Sequence, residues 1–161
     1  MNLNNMTILV TGASGGIGAA VAEALDKQGA QLMLVGRQQQ TLETLANKLT
    51  GIPIIIVADL NSSEGRERII KQCIQSGGLD LIINLAGIMD FQFFEKQSTD
   101  AIEQIITTNL LSPMLLCNRL IPLLKQKPEA AIVNIGSTFG SIGHPGFASY
   151  CASKFGLRGF T

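Results

Sequence analysis

Short apolar runs alternate along the chain with stretches that place an apolar residue every three or four positions. Met6 to Val10 is an apolar run ending at Thr11-Gly12. Gly16 to Gln28 carries Ile17, Ala20, Val21, Ala24 and Leu25 at helical spacing and stops at Gly29. Gln31 to Val35 is a second run, followed by a polar helix pattern from Gln38 to Leu49 with Gly51 just beyond it. Pro53 to Val57 is the third run. The spacing then predicts a helix running to Gln75, with Ser63 as its N-cap. Leu79 to Leu85 is the fourth run. A long helix is predicted over Thr99 to Leu124, with a kink or early end at Pro113 or Pro122. Ala130 to Ile135 is the fifth run, and a last helix begins near Ala148. Short buried runs separated by helices predict a parallel sheet covered on both faces. Crossovers between parallel strands are right-handed, so the sheet is doubly wound in a three-layer α/β/α domain covering residues 1–161.

Composition narrows the partners. The chain has 161 residues, with 12 Lys plus Arg against 12 Asp plus Glu and a formal net charge of zero. It has no basic cluster, so neither a nucleic-acid binder nor a polybasic membrane patch is expected. With 46% hydrophobic residues the chain has enough apolar surface to fold. No apolar run reaches the ~20 residues that span a bilayer, and Met1 to Val10 lacks the basic start of a signal peptide. Cys73, Cys117 and Cys151 are far apart and His144 is the only histidine, so no metal site is expected. Three scattered thiols fit a reduced, cytoplasmic setting. Cys73 and Cys117 read as small buried apolar residues, and Cys151 points away from its neighbour Tyr150.

Candidate chemistry begins at the turn after the first run, Thr11-Gly12-Ala13-Ser14-Gly15-Gly16-Ile17-Gly18. Gly12 permits a tight turn, Gly16 admits a ligand close to the backbone, and Gly18 lets the helix pack against the sheet. The helix N-terminus offers free N–H groups to a pyrophosphate. No Gly-Lys-Ser/Thr follows, which disfavours a P-loop. The second run ends Leu34-Val35-Gly36-Arg37, with no acid between Gln31 and Leu42. An acid there suits the ribose 2′-hydroxyl of NAD, whereas Arg37 suits a 2′-phosphate. NADP(H) is therefore expected over NAD(H).

A second constellation lies near the C-terminus. Tyr150 is the only tyrosine, and Lys154 shares its face of a helix at i+4. An ammonium near a phenol favours the phenolate, the form an acid–base group needs to reach. Ser137 follows the fifth run, at the carboxyl end where open α/β sheets bind ligands.

Thr11 to Gly18, Asn84-Leu85-Ala86-Gly87, Asn109, Ser137 and Tyr150-Cys151-Ala152-Ser153-Lys154 follow one another in the order and spacing of a known family. Through its whole length the chain resembles the short-chain dehydrogenase/reductase family. That resemblance implies a Rossmann fold and an oxidoreductase moving a hydride between nicotinamide and a small carbonyl or alcohol substrate. It implies that Tyr150 protonates the carbonyl oxygen or deprotonates the alcohol, and that Ser137 hydrogen-bonds the substrate oxygen. It implies that Lys154 holds the nicotinamide ribose and that Asn109 holds a water linking Lys154 to solvent. Gly12, Ser14, Gly16, Ile17 and Gly18 would form the pyrophosphate turn. Asp59 and Leu60 would meet the adenine. Asn84 would steady the sheet beside the adenosine ribose, with Ala86 and Gly87 following it in the cofactor site. The family also implies a homodimer or homotetramer built through the long helix and the Tyr-Lys helix. Leu85 stands where a second Asn is frequent, and Gly15 where many NADP-preferring members carry a basic residue.

Two other readings share these motifs: an epimerase or dehydratase, and a non-catalytic dinucleotide-binding protein. The glycine spacing disfavours the first, and the joint presence of Ser137, Tyr150, Lys154 and Asn109 disfavours the second. His144 reads as an ordinary loop residue. Phe91, Phe93 and Phe94 either line an apolar pocket on the ligand side or pack as core. The strand order of this fold, 3-2-1-4-5-6, calls for at least one strand more than the five runs. The 161 residues are thus expected to be the N-terminal part of a longer enzyme.

Overall fold

Each apolar run becomes a strand, and the computed structural model, which describes residues 1–161, pairs all five in parallel. They are β1 (Thr7–Thr11), β2 (Gln31–Gly36), β3 (Ile54–Val57), β4 (Leu81–Asn84) and β5 (Ala131–Asn134), in the order β3-β2-β1-β4-β5. The chain steps outward from β1 to β3 and then returns past β1 to lay down β4. That reversal opens a crevice at the carboxyl ends of β1 and β4. Thr11 is level with Val35 on one side and with Asn84 on the other, so the three strands end together there.

Side chains alternate across the sheet. Ile8, Val10, Leu32, Leu34, Leu81 and Ile83 face one way. They pack on Ala22 and Leu25 of α1 (Gly16–Asp26) and on Leu42 and Leu45 of α2 (Gln39–Ala46). Leu9, Met33, Val35, Ile56 and Ile82 face the other way. Their partners are Ile69 and Cys73 of α3 (Ser63–Gln75), and Leu116, Cys117 and Leu120 of α5 (Ser112–Leu124). Both faces are buried, which is why the runs are continuously apolar rather than alternating. Each buried Leu or Ile contributes about 1.5–3 kcal/mol relative to its exposed state. No helix is long and apolar enough to cross a membrane.

Two expectations need correction. The N-cap of α3 is Ser62, not Ser63: its Oγ accepts from Gly65 N–H at 2.9 Å, and Ser63 is the first helical residue. The pattern over Thr99 to Leu124 is not one regular helix. It divides into α4 (Thr99–Ile106), a π turn over Thr107–Leu111, and α5. Pro113 has no N–H for the carbonyl of Asn109 four residues before it, and a widened turn next to such a proline absorbs the lost bond. Pro122 lies inside α5 on an exposed position and does not end it. The last helix, α6, runs from Ala148 to Phe160.

Candidate active site

The crevice at the carboxyl ends of the strands is a cleft of about 380 Å³. Its floor is the glycine turn between β1 and α1, which contributes Gly12, Ser14, Gly16 and Ile17. Gly12 has φ +71°, and a Cβ there would lie 2.7 Å from the Ala86 backbone. Glycine is thus required twice over, by conformation and by the approach of the β4 loop. A Cβ on Gly16 would meet nothing within 4 Å, so the turn is open on its cleft side. Gly18 serves a different contact from the one expected. A Cβ there would strike the Gly12 carbonyl oxygen, so its lack of side chain closes the helix onto the turn rather than onto the sheet. The N-terminus of α1 has no capping side chain, which leaves its leading N–H groups for a ligand.

The strand ends complete the walls. Arg37, beyond β2, lines the cleft and makes no hydrogen bond or ion pair with the protein. Ser14 stands close by: its Oγ is 2.9 Å from where a Cβ on Gly36 would be. Asp59 and Leu60 line the cleft from the end of β3, and Ala86 and Gly87 from the end of β4. Asn84 does not reach it. It is buried between strands, where its Nδ2 donates to Asn134 Oδ1 at 2.8 Å and to Cys117 Sγ at 3.3 Å. It therefore cross-links β4 to β5 and to α5. Burial pushes the Cys117 thiol pKa above its usual range, so this cysteine stays protonated.

Three polar cleft residues escape the sequence reading: Asn61, Gln104 and Thr108. Asn61 Nδ2 donates to Thr108 Oγ1 at 2.9 Å, which joins the end of β3 to the π turn. Gln104 and Thr108 lie four apart, on one face of the segment, and that spacing was the available signal.

At the far end of the cleft, Lys154 of α6 is 5% exposed and donates from Nζ to the Ile135 carbonyl at 2.8 Å. Burial pushes its pKa below the ordinary lysine value. Its Nζ lies 5.8 Å from the centre of the Tyr150 ring. A Cβ on Gly87 would lie 3.7 Å from the same Nζ and 3.3 Å from Asn109 Oδ1. Gly87 is thus the point where the cleft meets the Tyr-Lys pair. Ser137 caps a 3₁₀ turn over Thr138–Gly140, accepting from Phe139 N–H at 3.2 Å. That turn packs against α6 so closely that a Cβ on Gly140 would lie 2.9 Å from the Lys154 carbonyl oxygen.

Asn109, in the π turn, is 1% exposed and its amide is fully engaged. Oδ1 accepts from Ile88 N–H at 2.8 Å. Nδ2 donates to the Ile88 carbonyl at 2.8 Å and to Ser153 Oγ at 3.0 Å. The side chain is a clamp between the β4 loop and α6, and only the backbone of Asn109 is left to meet a water. No group of His, Cys, Asp and Glu side chains is arranged to hold a metal ion.

Comparison with known proteins agrees with this arrangement. The short chain dehydrogenase family model matches residues 6–161. The 3-oxoacyl-[acyl-carrier-protein] reductase of Rickettsia typhi is 35% identical over 161 residues, covering 100% of this chain and 66% of the relative. Nodulation protein G of a Rhizobium species is 36% identical over 160 residues, covering 99% of this chain and 65% of that one. The chain thus spans about two thirds of the length of these relatives. A metagenomic short-chain oxidoreductase solved in complex with NADP superposes with a TM-score of 0.93 at 29% identity, over 99% of this chain and 75% of that one. With the glycine turn, the clamp and the Tyr-Lys helix in place along the whole matched segment, the chain belongs to the short-chain dehydrogenase family.

Proposed function

We propose that the protein is an NADP(H)-dependent oxidoreductase that interconverts a small carbonyl compound and its alcohol. The observation that carries this reading is the meeting at Gly87, which lines the cleft and sits beside the Lys154 ammonium, itself 5.8 Å from the centre of the Tyr150 ring. The residues present fit a dinucleotide: the turn is open above Gly16, and the first N–H groups of α1 have no side-chain cap. The glycine turn would hold the pyrophosphate, and Asp59 and Leu60 the adenine. Lys154, beside Gly87, would hold the nicotinamide ribose. When bound, the nicotinamide supplies or takes up the hydride.

The chain's own residues manage the proton. Tyr150 gives its hydroxyl proton to the substrate oxygen in reduction and takes it back in oxidation. Ser137 Oγ hydrogen-bonds that oxygen and fixes its position. The Lys154 ammonium stabilises the negative charge left on the Tyr150 oxygen, and does so more strongly for being buried. The Asn109 backbone, in the π turn, would hold a water through which Lys154 reaches solvent. The three separate thiols support a cytoplasmic location.

Arg37 carries the cofactor assignment. Its free guanidinium at the cleft, with Ser14 beside it, suits a 2′-phosphate better than a hydroxyl. Arg37→Ala is expected to lower kcat/KM for NADPH by about tenfold or more while leaving NADH little changed, since it removes a charge-assisted contact. The test is the ratio of kcat/KM for the two cofactors in both proteins. An NADH preference that survives the substitution would overturn the reading.

We also propose a homodimer or homotetramer that uses the outer face of α5. Met114, Leu115 and Ile121 stay exposed there, with Leu111 at the end of the π turn just before it. Sedimentation at micromolar concentration is expected to show at least a dimer, and a monomer would refute it.

A further inference from the structure

The interior of this protein is built without aromatic rings. Neither of the two buried clusters includes a phenylalanine among its fully buried members. Yet the chain has seven, and five of them (Phe91, Phe93, Phe94, Phe139 and Phe147) stand on the two loops that follow β4 and β5. Phe91, Phe93 and Phe94 are 63%, 53% and 59% exposed. None of the three belongs to either buried cluster, and rings so concentrated suit a binding surface.

Phe91, Phe139 and Phe147 form an arrangement continuous with Tyr150. The Phe147 ring is central, 5.1 Å from Phe91, 5.1 Å from Phe139 and 5.6 Å from His144. It stands 6.2 Å from the Tyr150 ring, and Phe139 meets the same ring edge-on at 6.3 Å. The wall is held in place by Gly146, which has φ +83°. A Cβ there would lie 2.5 Å from the Phe91 ring, and the Gly146 carbonyl accepts from Gln92 N–H at 2.9 Å. The loops after β4 and β5 are thereby latched together at Phe91 and Gly146. The wall has no Lys or Arg among its members. His144 Nδ1 lies 2.6 Å from the Pro145 carbonyl, which can only accept, so Nδ1 carries the proton.

We infer that this wall is the substrate subsite for an aromatic ring attached to, or fused beside, the reacting carbonyl. The inference rests on the proposed carbonyl chemistry of Tyr150, because a carbonyl at that hydroxyl places its substituent along Phe147 and Phe139. Tilted rings offer both edges and faces. An aryl group gains from that geometry beyond the area it buries, whereas an alkyl chain gains area alone.

The test compares acetophenone with 2-octanone, ketones of equal carbon number, in NADPH-dependent reduction by the full-length protein. The expected kcat/KM ratio favours the aryl ketone by about tenfold, the scale of one or two ring contacts. Phe147→Leu, which keeps an apolar side chain and loses the ring, is expected to bring the ratio close to one. Phe147→Trp is expected to keep it. Phe155→Leu removes an exposed ring outside the wall and is expected to leave the ratio unchanged. If Phe147→Leu fails to fold, Phe91→Leu makes the same comparison at an exposed position. A native ratio near one, or a ratio that the wall substitutions do not move, overturns the subsite. If neither ketone is reduced, the oxidoreductase reading itself has failed. Binding of 2-naphthol, followed by ligand-observed NMR, then decides the subsite: weaker binding to Phe147→Leu supports it, and equal binding overturns it.

Discussion

Tyr150→Phe is expected to lower kcat by about a thousandfold, the middle of the range for losing a general acid–base group, while NADPH still binds. The substitution removes one oxygen and its proton. The phenyl ring keeps its contacts with Phe139 and Phe147 and its place one turn from Lys154 on α6. None of the residues that line the cofactor cleft is Tyr150. Binding and chemistry should therefore separate. NADPH oxidation under steady state gives the first quantity, and titration of NADPH fluorescence the second. Retention of more than about a tenth of native turnover would assign the proton transfer to another group.

Gly12→Ala should have the second large effect, through structure rather than chemistry. Its left-handed backbone penalises any Cβ, and the added carbon would press on the Ala86 backbone from 2.7 Å. Backbone atoms cannot swing aside as a side chain end can. The two penalties together come to about 3 kcal/mol of folding stability. Because Ala86 and Gly87 are the cleft wall, NADPH affinity should also fall by about tenfold or more, once the turn and the β4 loop are forced apart. Gly15→Ala is the internal comparison. Gly15 has φ −80°, and the nearest atom to an added Cβ is 3.5 Å away, so its stability should change by less than about 0.5 kcal/mol. Urea denaturation of both variants measures the difference, and similar values for the two would remove the steric argument.

The parts legible in the sequence were those in which one physical demand dominates. Strands buried on both faces must be apolar throughout, so β1 to β4 stood out within a residue or two. Arg37 and the glycine turn could be placed because each sits at a strand end, where one residue of register fixes what it faces, and Asp59 came from the family resemblance. The division of the segment 99–124 was less visible. Pro113 gave notice of a disturbance, but not of the contacts Asn109 makes in the π turn with Ile88 and Ser153, 21 and 44 positions away. For the same reason the sequence left Asn109 as a water holder and did not suggest a clamp. Phe91, Phe93 and Phe94 were undecided because core and pocket select the same residue type. Only their exposure separates the two, and exposure is set by the loop after β5. Ser62 and Ser63 are adjacent candidates for one cap, and the choice rests on which hydroxyl reaches the Gly65 N–H.

The placement of the lone tyrosine has a practical consequence. The chain has no tryptophan, so with excitation beyond the phenylalanine band its intrinsic emission comes from Tyr150. That ring is packed between the aromatic wall and the Lys154 ammonium. Most proteins dilute such a signal with many emitters scattered through the structure. Here the tyrosine signal of these 161 residues reports on the neighbourhood where substrate and nicotinamide would meet, without a label.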